Sequence, residues 1–113
     1  MNQDFKVRLV KRLRSGKDLQ CQRHLRIGLR TFCIIGLIAD EIDPTAWKAC
    51  GNGFFSWKGN TQTIDDESLN AVGISHREAQ NLVFRNDGNY DGPLVTLSFL
   101  QFADLLESPD YKF

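Results

Sequence analysis

Apolar side chains recur near the start of the chain at a helical period, gathering Phe5, Leu9, Val10 and Leu13 on one arc of a wheel. The other side carries Arg8, Lys11, Arg12 and Arg14, so this segment reads as an amphipathic helix with a basic outer face. Ser15-Gly16 follows as a stop, because glycine takes the left-handed conformation that ends helices. The period then changes to two. Leu25, Ile27 and Leu29 alternate with His24, Arg26, Gly28 and Arg30, which predicts a strand with an apolar inner face and a basic outer one. Residues 32–42 are apolar almost without break until Asp40 and Glu41, and periodicity alone does not separate helix from strand there. The length favours a helix, with Thr31 as the expected N-cap and Asp43, ahead of Pro44, as its end. It is the expected central core helix.

Turn residues punctuate the remainder. Gly51-Asn52-Gly53 and Gly59-Asn60 bracket Phe54, Phe55 and Trp57, predicting a short hairpin within residues 51–63. Residues 65–72 read as a short helix closed by Gly73. Ser75-His76-Arg77-Glu78 has the form of a capping box opening another helix, with Ala79, Leu82 and Val83 turned inward. After a turn-rich stretch at 86–92 and an apolar run at 94–97, Ser98 is the expected N-cap of a last amphipathic helix containing Phe99, Phe102, Ala103, Leu105 and Leu106. No repeat, linker or low-complexity stretch interrupts this. The expectation is a single α+β domain over residues 1–113, about five helices packed around a central apolar helix with a small antiparallel sheet.

At 113 residues the chain has the size of one domain, and 42% hydrophobic with 25% charged residues suits a folded protein rather than a disordered one. The longest apolar run falls well short of the roughly 20 residues that cross a bilayer, so no membrane association is expected. Three cysteines, an odd number, do not make a disulfide framework, and no charged-then-apolar leader opens the sequence; a reducing cytoplasm is the expected compartment. A formal net charge of zero conceals a strong asymmetry. Residues 1–30 hold nine bases against two acids, a net +7, and the rest of the chain carries −7. Two readings follow from it. Arg8, Lys11, Arg12, Arg14 and Arg26 form a basic face for nucleic acid or an acidic protein, or the same charges fold back on the acidic half.

Candidate chemistry is sparse. Cys33, near the start of its predicted helix, could have its thiolate stabilised by free amides, with His24 or His76 as base. No local signature of a cysteine enzyme accompanies it, and a core cysteine is the simpler reading. Cys21-x-x-His24 has ligand-like spacing but lacks the second close pair that a structural zinc site needs. Asp87-Gly88-Asn89-Tyr90-Asp91-Gly92 matches the first half of a calcium loop, with Asp87, Asn89 and Asp91 as oxygen donors. Its twelfth position is Ser98 rather than glutamate, so any such site is weak; a tight loop bonded through Asn and Asp side chains is the alternative. Phosphate loops, nucleophile elbows and zinc-protease helices are absent from the sequence. The acids at 40–41 and 65–67 suit helix ends. Trp47, Trp57, Phe54 and Phe55 could stack on a base or anchor the core. No catalytic residue and no cofactor is expected.

Three strings occur in order along the chain: Leu13-Arg14-Ser15-Gly16-Lys17; Phe32-Cys33-Ile34-Ile35-Gly36-Leu37-Ile38-Ala39-Asp40; and Asn86-Asp87-Gly88 ahead of Ser98-Phe99 and Phe102-Ala103-Asp104-Leu105-Leu106-Glu107. Together they resemble a family of small uncharacterised proteins of phages and prophage-bearing bacteria that carries an "FCCLGVLCD"-like motif and a C-terminal "LND…SF..IAD.IE"-like motif. Ile34 and Ala39 stand where that family has its second and third cysteines, an exchange that suggests packing rather than metal or redox chemistry. Residues 89–97 lengthen the loop that carries the calcium-like string. The resemblance implies a small phage accessory factor, and it transfers no site residue. The function expected is that of a non-enzymatic interaction protein binding a host protein. Nucleic-acid binding through the basic face and a weak small-ligand or calcium site are the alternatives.

Overall fold

A computed structural model of the chain describes residues 1–88 and 96–111. The first helix, α1 (Gln3–Arg14), buries Phe5, Leu9, Val10 and Leu13, the arc that the wheel marked out. Ser15 closes it with its N–H on the Arg12 carbonyl, and Gly16 turns the chain away at φ +71°. The strands that follow are short: β1 (Leu19–Gln20), β2 (Arg26–Ile27) and β3 (Thr31–Phe32). After α2 (Ile34–Ile42) the hairpin of β4 (Trp47–Gly51) and β5 (Phe54–Trp57) completes a sheet of order β1-β3-β2-β5-β4. Three helices follow, α3 (Asp66–Ala71), α4 (His76–Asp87) and α5 (Phe99–Glu107).

The class is α+β, with five helices among the described residues, as the pattern predicts, but the sheet is mixed rather than antiparallel. β2 and β3 form an antiparallel pair across the turn at 28–30, and β1 takes the other side of β3 in parallel, Leu19 beside Thr31 and Gln20 beside Phe32. Direction follows from the connections: a short turn joins β2 to β3, whereas the chain from β1 passes through β2 before β3 and so can return parallel to β1. The helices do not simply ring α2. α1 packs along α5, while α2 contacts α4, α1 and β3, and α3 packs on α4. Leu25, Ile34, Leu37, Ile38, Trp57, Leu82, Phe102 and Leu106 are among the residues of the shared core.

Three local expectations are corrected. The alternating strand stops at Ile27, because Gly28 adopts φ +71° and Arg26 clamps the turn, its Nε and a terminal nitrogen donating to the carbonyls of Gly28 (2.9 Å) and Leu29 (3.1 Å). Leu29 is thereby 77% exposed instead of inward. The N-cap of α2 is Cys33, not Thr31, since β3 claims Thr31 and Phe32; the Cys33 sulfur accepts the Gly36 N–H at 3.3 Å. The hairpin begins earlier than residues 51–63 imply, pairing Trp47 with Trp57 and turning at Asn52-Gly53, both at positive φ. Most of the remaining helix signals hold. Ser75 and Ser98 are N-caps, Gly73 follows α3 at φ +77°, and Ser98 with Gln101 forms a full capping box, while Asp65, expected as the first helical residue, is instead the N-cap of α3. At Ser75 the box is only half made, because the Glu78 side chain faces the Met1 amino group and the Tyr111 hydroxyl instead.

Candidate functional site

The basic residues of the N-terminal segment divide into two sets once folded. Arg12 lies on the inner flank of α1 and gathers three carboxylates: Asp18 at 3.0 Å, Asp40 at 2.5 Å and Glu41 at 3.2 Å. Desolvation lowers its pKa, but the bonds from Asp18 and Asp40 outweigh that and hold it above the ordinary arginine value. Arg14 reaches α5, where Glu107 and Asp104 accept from its guanidinium at 2.6 and 3.0 Å. The Glu107 bond, then the Asp104 bond, raises its pKa. Arg26 lies over Phe55 at 4.3 Å, with Phe32 and Trp47 at 5.2 and 5.3 Å, so aromatic faces fix its cation in place.

Arg8, Lys11, Arg12, Lys17, Arg26 and Arg30 then line one cleft of about 580 Å³ between α1 and the 28–30 turn, in company with Asp18, Asp40 and Glu41. Four of the five basic residues singled out in the sequence meet there; Arg14 does not line it. Lys17 and Arg30 join them because Gly16 and the Gly28 turn bring their segments alongside α1, a consequence of loop geometry that periodicity does not reveal.

A second concavity of about 900 Å³ lies between α3, α4 and residues 62–65. Its walls include Ile35, Ile64, Leu69, Ala79, Val83 and Phe84. The volume falls in the range of ligand-binding clefts, and the lining is of the apolar kind such sites use. Phe84 is 59% exposed on α4 although its neighbours Leu82 and Asn86 are buried. Asp65, Asp66 and Asp87 stand at the same concavity with Arg23 and His76. His76 Nδ1 lies 2.9 Å from Asp66 Oδ1, and the Asp87 carboxylate accepts the Arg23 N–H at 3.0 Å. The sequence did offer a signal: Phe84 falls outside the inward arc of its own helix.

The thiols are placed less favourably for chemistry. Cys33 is buried, and burial pushes its pKa up to about 12 despite the opposing Gly36 N–H. That is the reverse of an activated nucleophile. Neither histidine is bonded to it: the His24 ring packs 4.6 Å from Phe54, and Nδ1 of His76 is on Asp66. Cys21 donates to the His24 carbonyl, so the Cys21-x-x-His24 pair closes a turn; burial and then the Asp87 charge raise its pKa to about 11. Among the described residues no group of three or more His, Cys, Asp or Glu side chains could hold a metal ion. Of the calcium-like string, Asn89 and Asp91 lie outside the described residues. Asp87 ends α4, where Asn86 also donates to its carboxylate. No described helix is long and apolar enough to cross a membrane. Compared with known protein families, with curated proteins and with solved structures, the chain matches none.

Proposed function

We propose that the chain is a non-enzymatic interaction protein that docks an apolar, base-flanked segment of a partner protein in the groove between α3, α4 and residues 62–65. The observation that carries this reading is Phe84, a large aromatic ring left 59% exposed over an apolar floor. Such a ring in a concave site is the kind of anchor from which protein interfaces draw most of their energy. Charge supplies the partner's chemistry. Three carboxylates, Asp65, Asp66 and Asp87, against Arg23 favour lysines or arginines flanking the docked apolar residues. Resemblance to small phage proteins supports a host protein as the partner, and the burial of Cys33 supports a role without covalent catalysis. Nucleic-acid binding is a second reading, favoured by the cationic cleft.

The test begins with tagged protein used to capture partners from host extract and continues with the purified partner. Phe84→Asp is expected to weaken its binding at least tenfold while leaving the melting temperature within about 2 °C, since the ring is exposed. A partner bound equally well by Phe84→Asp, or one without an apolar base-flanked segment, overturns the assignment.

A further inference from the structure

We infer that the cleft between α1 and the 28–30 turn is a binding site for an oligophosphate chain, as carried by a nucleoside triphosphate or by successive nucleotides of a single strand. The site shares no lining residue with the apolar groove, and its test is independent of the docking reading.

Six cations and three acids line the cleft, a net +3. The three acids are not distributed among the cations: Asp18, Asp40 and Glu41 all converge on Arg12. Arg8 has only a 4.0 Å approach from Glu41, and Lys11, Lys17 and Arg30 make no ion pair among the described residues. Arg12 is thus the cleft cation that its acids neutralise and Arg26 is engaged partly by the 28–30 turn, while Arg8, Lys11, Lys17 and Arg30 are left to face a ligand. Like charges held at one concave surface sustain a field that draws in anions and is strongest for ligands of several charges.

Ligand class follows from the shape and the donor types. A volume of about 580 Å³ admits a group the size of a nucleotide. Lys11 and Lys17 act as flexible point charges, suited to phosphate oxygens that present charge in every direction, while the Arg8 and Arg30 forks suit bidentate contact. Arg26 adds a cation whose position is fixed by Phe55, Phe32 and Trp47, so little side-chain entropy remains to be lost on binding. The exposed Leu29 supplies an apolar contact for a sugar or base beside the phosphates, while Phe32 is buried beneath Arg12 and Arg26. A carboxylate-rich peptide offers charge without that apolar companion at nucleotide spacing, and it serves as the control.

The experiment titrates the full chain with ATP, with a short single-stranded RNA and with polyglutamate. Variants are Lys11→Glu combined with Lys17→Glu, and Arg77→Glu as a charge change at an exposed site outside the cleft. Binding of ATP, RNA or both is expected, with at least a tenfold loss in the double variant and no comparable loss in Arg77→Glu. For a strand making four phosphate contacts, affinity should fall roughly fiftyfold between ~50 and ~200 mM salt, because neutralised phosphates release counterions. ATP binding alone assigns the site to a free nucleotide, and RNA binding alone assigns it to a strand. Absence of binding by either, equal loss in Arg77→Glu, or equal affinity for polyglutamate overturns the inference.

Discussion

Gly36 is the residue on which the packing of α2 turns. A Cβ built there would stand 1.8 Å from the Leu25 carbonyl oxygen, a backbone atom that has no rotamer through which to withdraw. Glycine inside a helix ordinarily costs about 1 kcal/mol relative to alanine, so Gly36→Ala should stabilise if only propensity mattered. Contact dictates the opposite sign: a loss of about 3 kcal/mol or more in chemical denaturation, as overpacking against rigid backbone produces. A gain in stability would mean that α2 and the Leu25 segment do not approach as described. The cysteines separate at the same scale. All three are free thiols, with Cys50 exposed, Cys21 half-buried and Cys33 buried. Alkylation followed by mass spectrometry should label Cys50 first and Cys33 only at the rate of global unfolding, with the differences erased in denaturant. Fast labelling of Cys33 at neutral pH would restore it as a candidate nucleophile. Because its folded pKa lies above the unfolded one, the unfolded chain ionises first, and burial of this thiol lowers stability progressively as pH rises from about 9 to about 12.

Elements whose ends are written in side chains were legible in the sequence, and those whose ends depend on distant partners were not. Ser98 caps α5 through Gln101, and both residues lie within four positions of each other, so the motif announces itself. The start of α2 is different. Its Ile34 N–H is accepted by the Asn86 side chain, 52 positions away, which also accepts from Gln20 and donates to the Cys21 carbonyl. No local pattern contains that information, and the expected Thr31 cap failed because a three-way strand contact competes for the same residues. Asp65, which the structure makes the N-cap of α3, offers a test of a cap. Burial pushes its pKa up, but hydrogen bonds from the Ser68 N–H and hydroxyl outweigh that and hold it below the usual carboxylate value. A lowered folded pKa means that this contribution to stability is complete above about 3.8 and is lost as pH falls through the folded value. Asp65→Asn keeps a competent cap without the charge. Its stability should therefore fall less steeply than that of the parent below pH ~4, measured by denaturation at a series of pH values. Parallel pH profiles for the two proteins would remove the carboxylate from the cap.

Across the whole molecule, the opposed charges of the two halves are joined unequally, and burial decides where the pairing matters. The sequence showed the asymmetry but not which cations would be neutralised, since that depends on α1 lying against both α2 and α5. Arg12 connects α1 to Asp18 and to the C-terminal half of α2, with its side chain only 19% exposed and its acids comparably sheltered. Removing it leaves three partly desolvated carboxylates near one another, with Arg8 at 4.0 Å from Glu41 the nearest ion-pair partner left to them. Arg14 joins α1 to α5 at the surface, with Asp104 and Glu107 well exposed, where solvent screens the interaction. Arg12→Ala should cost about 2 kcal/mol, a discounted share of what breaking a fully buried pair costs, whereas Arg14→Ala should leave stability almost unchanged. Chemical denaturation at low and at high salt distinguishes them: added salt should erase the Arg14 effect and leave most of that at Arg12. Equal costs at both positions would mean that the Arg12 cluster is as solvated as the surface pair. In that case its three acids would also be free to oppose an anion in the cleft, and the case for an oligophosphate site would weaken with it. The Arg12 measurement thus bears on stability and binding together, because the arginine that holds α1 to α2 is the same one that engages all three carboxylates of the cleft, of which only Glu41 also approaches a second cation, Arg8.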